Sequence, residues 1–126
     1  GLAAADRPLR LAGAAVSRPV DETGERVLSL ARDGATLLGA PVPAAAAVEV
    51  HDARGHGYGI PSPAGERAAG LAARREGLVL DPAFTAKAFA LLLDLCAGGG
   101  VDGPVVFWHT GGTAVALAPR SAGADL

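Results

Sequence analysis

The sequence predicts an α/β fold, a parallel sheet with helices on both faces, and three observations point there. Short apolar runs alternate with segments of helical spacing along the whole chain, the pattern left by β-α crossovers. The runs are nearly continuous in apolar residues, as in strands covered on both faces. One helical segment, 85–97, is apolar nearly all round, with only Lys87 and Asp94 polar after Thr85, so it is expected to be buried on most sides.

The first run, Leu9 to Ser17, reads as a buried parallel strand. Pro19 breaks it, and Asp21 is the expected N-cap of a helix running to Leu38. In that helix Val27, Leu30, Ala31, Gly34 and Leu38 follow one face, while Glu22, Glu25, Arg26, Ser29, Arg32 and Asp33 follow the other. Gly39 and Pro41 stop it. Ala44 to Val50 is the second expected strand. The loop 52–61 carries glycines at 55, 57 and 59, which open backbone conformations closed to other residues. Ser62 with Pro63 starts the next helix, through Arg75, and Gly77 closes it. Leu78 to Leu80 reads as a very short strand, 85–97 as the buried helix, and Val105 to Trp108 as the last strand. A Gly-Gly turn leads to a short helix, Ala114 to Ala118, and a frayed tail follows from Pro119.

A length of 126 residues predicts one domain. Half the residues are apolar, but 29 are alanine, so large core-forming side chains are scarce and the core is expected to be thin. A net charge of −2 without a basic cluster argues against nucleic acid or an anionic membrane as partner. No apolar run approaches the ~20 residues that span a bilayer. The single cysteine, Cys96, excludes an internal disulfide and fits a reducing, cytoplasmic setting. The absence of methionine, including at position 1, is read as a start inside a longer reading frame.

Ligands of open parallel sheets bind beyond the carboxyl ends of the strands. Three loops leave such ends here: 52–61, 81–85 and 109–113. They carry His56, Tyr58, Phe84, Thr85, His109 and Thr110, a set suited to an aromatic ring held between a flat side chain and hydroxyl donors; ordinary crossover turns account for the same residues. His51, His56 and His109 with Asp52 show no metal-ligand spacing. Cys96, on an apolar helix with no adjacent base, reads as a packed thiol. Lys87, the only lysine, raises the thought of a Schiff base, but its place one turn into an apolar helix favours a structural role.

Five short stretches, in order, resemble the 1-aminocyclopropane-1-carboxylate deaminase and D-cysteine desulfhydrase family. These are Val16-Ser17-Arg18-Pro19 with Glu22, Gly57-Tyr58-Gly59-Ile60-Pro61, Arg75-Glu76-Gly77, Leu80 to Ala88, and Phe107-Trp108-His109-Thr110-Gly111-Gly112. The resemblance covers nearly the whole chain. It implies a partial tryptophan synthase β-like fold of type II and pyridoxal 5′-phosphate as cofactor. It also implies a small amino-acid substrate and a homodimer for the full-length enzyme. Phe84 stands where the family has a tyrosine stacked on the pyridine ring. Thr110, with Thr85 nearby and Gly111 beside it, matches the residues around the pyridine nitrogen. A neutral hydroxyl there would moderate the cofactor as an electron sink. Tyr58 matches a tyrosine that faces the substrate, and Lys87 a lysine that does not bear the cofactor.

Within the family, the deaminase branch tends to have Glu after the stacking aromatic and Leu between His and Gly-Gly. Thr85 and Thr110 occupy those places and look like the desulfhydrase branch, which eliminates sulfide from a thiol amino acid to leave pyruvate and ammonia. Phe84 for Tyr and Ala86 for Gly depart from the pattern. The resemblance makes residues 1–126 the C-terminal part of the large cofactor-binding domain. The Schiff-base lysine, the active-site serine and asparagine, and the glycine-rich phosphate loop would then lie upstream, with Gly1-Leu2-Ala3 in the helix after that loop. No catalytic residue is therefore expected in this chain, which alone would be inactive. A deaminase or sulfo-lyase of the same family is the alternative activity. A non-catalytic α/β module binding a ligand or partner at the same loops is the alternative of another class.

Overall fold

The computed structural model describes residues 9–117, so the readings at 1–3, at Ala118 and from Pro119 onward lie outside the described residues. The chain divides after Tyr58 into two compact units.

The first unit is a β-α-β crossover. Strand β1 (Leu11–Ala15) pairs in parallel with β2 (Val48–Asp52), Leu11 opposite Val48 and Ala15 opposite Asp52. One further bond, Ala53 N–H to the Ala15 carbonyl at 2.9 Å, extends the ladder. Between the strands runs helix α1 (Val20–Leu38), which packs on β2, with Ala35 buried. The expected cap at Asp21 is corrected: Pro19 takes the N-cap position with no side-chain bond, and Asp21 and Glu22 lie in the first turn, where acidic groups suit the helix dipole. Gly39 ends the helix at φ 60°. The second strand begins later than expected, because Ala45–Ala47 form a 3-10 turn (η1); alanine favours helical over extended backbone.

The second unit pairs helix α2 (Pro63–Glu76) with helix α3 (Thr85–Ala97). Ser62 caps α2 through its Oγ, which accepts from Gly65 N–H at 3.1 Å; Pro63 follows at a position whose N–H would be orphaned anyway. The two helices meet through small residues: Gly65, Ala68 and Ala72 on α2, Ala86 and Ala90 on α3, all buried. A side chain at Gly65 would lie 3.4 Å from the Lys87 backbone nitrogen, so the approach is nearly backbone to backbone. This is what the alanine content does: it trades large side chains for close contact. The core gathers around Ala72, Leu80 and Ala86, with Phe89 and Phe107 packed edge to face at 5.1 Å and 76°.

Leu78–Leu80 and Val105–Trp108, expected as strands, join no ladder among the described residues. A strand is made by its partner as much as by its sequence, and here side chains do the joining instead: Phe107 through Phe89, and His109 Nε2 to the Val79 carbonyl at 3.2 Å. Helix α4 (Thr113–Leu117) closes the described chain. Among the described residues, no helix is long and apolar enough to cross a membrane.

Candidate functional site

Asp81 organises the loop that leads into α3. An Asp before Pro is held to extended backbone, and Pro82 contributes no N–H. The next three amides then turn back onto the Asp81 carboxylate. Oδ1 accepts from Ala83 N–H at 3.1 Å and from Phe84 N–H at 2.7 Å. Oδ2 accepts from Thr85 N–H at 2.9 Å and from the Thr85 hydroxyl at 2.5 Å. The same hydroxyl accepts from Asp81 N–H at 2.8 Å. Asp81 is only 1% exposed, and a buried charge survives where such donors converge. Burial pushes its pKa up, but the Thr85 hydroxyl and the amides of Thr85, Phe84 and Ala83 outweigh that and hold it below the usual carboxylate value.

The turn 109–112 lies against this carboxylate. Gly112, at φ +97°, comes so close that a methyl group on it would sit 2.9 Å from Asp81 Cγ and nearer still to an oxygen. Gly111 N–H donates to His109 Nδ1 at 3.2 Å, closing the turn. The His109 ring is thus tied to Gly111 on one nitrogen and to the Val79 carbonyl on the other.

Four residues expected at the site therefore fall on two loops joined at Asp81. Phe84 is half-buried, while Thr110 and Gly111 are exposed. Thr85 is placed differently from the expectation: its hydroxyl is buried and engaged at Asp81, so it fixes the loop. Asp81 itself carried no role in the sequence reading, although an Asp-Pro pair with Thr four residues on was a legible capping signal. Tyr58 ends the first unit and is 70% exposed. Cys96 is exposed, which corrects the packed thiol; Lys87 is 2% exposed, in keeping with a structural role. Among the described residues, no cluster of three or more His, Cys, Asp or Glu is placed to hold a metal ion.

Elsewhere in the second unit, a hollow of about 150 Å³ lies along α2 and α3 between Arg67, Leu71, Leu93 and Asp94. In the first unit, Asp52 at the end of β2 is exposed and gripped by the Arg54 guanidinium, with Nη2 2.6 Å from Oδ2 and Nε 3.0 Å from Oδ1. That side-chain pairing, with a bond from Arg54 N–H, lowers its pKa to about 2.

A D-cysteine desulfhydrase of Yersinia enterocolitica is 40% identical over 104 residues, covering 81% of this chain and 32% of that protein. One from Salmonella paratyphi C is 38% identical over 109 residues, 82% of this chain and 32% of that protein. The crystal structure of an ACC deaminase homologue superposes with a TM-score of 0.70 at 32% identity, over 79% of this chain and 30% of that one. No family model matches. The fold class is thus α/β, of the fold type II pyridoxal-phosphate enzymes. Within that class the chain is similar over most of its length to the 1-aminocyclopropane-1-carboxylate deaminase and D-cysteine desulfhydrase family, and it spans about a third of the length of the relatives it matches.

The residues present fit a pyridoxal ring in their chemistry. Phe84, an aromatic side chain, is half-buried on a loop bonded to the Asp81 carboxylate. Thr110, a hydroxyl residue, is exposed on a turn that passes close beside that carboxylate, and the Gly111-Gly112 turn carries no side chain that would crowd a ring.

Proposed function

We propose that the full-length protein is a pyridoxal-phosphate-dependent lyase of the D-cysteine desulfhydrase type, acting on a thiol amino acid in the cytoplasm as a homodimer. In this reading residues 1–126 form the C-terminal part of the cofactor domain, and the cofactor-bearing lysine and phosphate loop lie upstream. The observation that carries it is the joining of the Phe84 loop and the Thr110-Gly111 turn at Asp81.

The cofactor, when bound, supplies an electron sink for elimination at the β-carbon. Phe84 would cover one face of its ring, and its lack of a hydroxyl means that it moves no proton. Thr110 would hold the ring nitrogen through a neutral hydroxyl, and Gly111 would leave room beside it. Thr85 keeps the Phe84 loop in shape. Tyr58 would contact the substrate.

Thr85 and Thr110, where the deaminase branch has Glu and Leu, support elimination over ring opening. The ACC deaminase homologue among the solved structures supports the second reading, a deaminase of the same family. Sulfide release from D-cysteine and ammonia release from 1-aminocyclopropane-1-carboxylate, measured on the full-length protein with added pyridoxal phosphate, separate the two. Sulfide and pyruvate in equal amounts are expected; ammonia from the cyclopropane substrate alone selects the deaminase, and cofactor binding without turnover selects a non-catalytic module.

A further inference from the structure

We infer that Asp81 is a positioning residue that sets the Phe84 loop and the Thr110-Gly111 turn as one body, so that a flat cofactor meets both in fixed register. The inference rests on the functional reading above and gives a role to a residue that would touch neither cofactor nor substrate.

The bond pattern explains why the residue must be an aspartate. Oδ1 takes the amides of Ala83 and Phe84, at 3.1 and 2.7 Å, and Oδ2 takes the amide and hydroxyl of Thr85, at 2.9 and 2.5 Å. Every partner is a donor. An asparagine of the same shape must turn its NH2 toward one of these pairs and lose it. The second loop reaches the same group by contact. Gly112 lies against the carboxylate with no space for a methyl group, 2.9 Å from Cγ and 3.0 Å from Cβ were one present. A shift of Asp81 therefore frees Phe84 through its amide and the 109–112 turn through its packing.

The test uses the full-length protein and the variants Asp81→Asn, Gly112→Ala and Thr85→Ser, the last retaining the hydroxyl. Backbone hydrogen exchange is followed at 83–85 and at 109–112 without cofactor. Pyridoxal phosphate is then titrated, and its dissociation constant and the visible circular dichroism of the bound ring are recorded. Asp81→Asn is expected to speed exchange in both loops, to weaken cofactor binding on the order of tenfold, and to change the dichroic band, as misplacement of binding groups does. Thr85→Ser keeps the hydroxyl bonded to Asp81, so exchange at 83–85 and 109–112 should match the unsubstituted protein. Gly112→Ala leaves Asp81 chemically unchanged but presses a methyl group onto its carboxylate, so it carries the exchange test should Asp81→Asn not fold: faster exchange is expected at both 83–85 and 109–112, and a change confined to 109–112 overturns the coupling.

Faster exchange confined to 83–85, or an unchanged dissociation constant and dichroic band, overturns the inference. If the unsubstituted protein takes up no pyridoxal phosphate, the functional reading fails and the cofactor part of the inference fails with it. The exchange result still decides, by itself, whether the two loops move together.

Discussion

Asp52 and Asp81 each stand at the head of a loop, Asp52 as the last residue of β2 and Asp81 directly after the apolar Leu78–Leu80. Asp52 is exposed and pairs with an arginine two residues on. Asp81 is buried and collects three amides and a hydroxyl. The first unit keeps its charges outside: Arg10 with Glu49 at 2.7 Å, Arg18 with Glu22, Arg54 with Asp52. Such pairs contribute little, because water and salt screen them. The second unit puts its charge inside, where each unsatisfied donor would be costly. One residue type thus serves as surface trim in one place and as a loop's organising centre in the other.

The widest separation is expected from alanine substitution. Asp81→Ala strands three amides, two of them buried, and should cost about 3 kcal/mol in urea unfolding of the full chain, whereas Asp52→Ala should leave the midpoint within error. Equal effects would break the comparison. Next comes packing: Ala86→Leu, forced into the α2–α3 contact, should cost roughly 1–3 kcal/mol. Ala45→Leu in the exposed 3-10 turn should stay within about 0.5 kcal/mol by the same measurement.

A smaller effect is expected from pH. Both carboxylates have folded-state values below the ordinary 3.8, Asp52 at about 2. The folded state therefore favours their ionised forms. Their contribution is complete above the ordinary carboxylate value and is lost as pH falls through the folded one. Unfolding followed between about pH 5 and 2.5 should show a gentler acid slope in Asp81→Asn than in the unsubstituted chain. An unaltered slope would mean that the four donors do not favour the charged form. The smallest effect is that of salt: raising it to about 0.5 M should weaken the surface pairs of the first unit without touching the Asp81 loop, seen as faster amide exchange in 11–15 and 48–52 only.

Much of the fold was readable because it depends on local chemistry. Ser62-Pro63 and Gly77 bound α2, and Gly39 ends α1, as their backbone preferences require. What the sequence could not give was pairing. Leu78–Leu80 and Val105–Trp108 have the composition of strands, but a ladder depends on what lies alongside, and among the described residues neither has one. At the site, residue types with obvious chemistry, Phe84, Thr110 and Tyr58, drew the reading, while Asp81 counted only as the first residue of the loop 81–85. Thr85 was legible as a hydroxyl near a pocket, but its actual partner is four residues back along its own chain. Sequence spacing carries that signal as a cap, and the cap was the simpler reading.

The alanine seam between α2 and α3 has a calorimetric consequence. Contact made by methyl groups and backbone hides little hydrocarbon from water for each residue ordered. Unfolding this region should therefore change the heat capacity by less than the roughly 12–15 cal/mol/K per residue usual for globular chains. Its stability curve would then be shallow and broad, with little to lose on cooling.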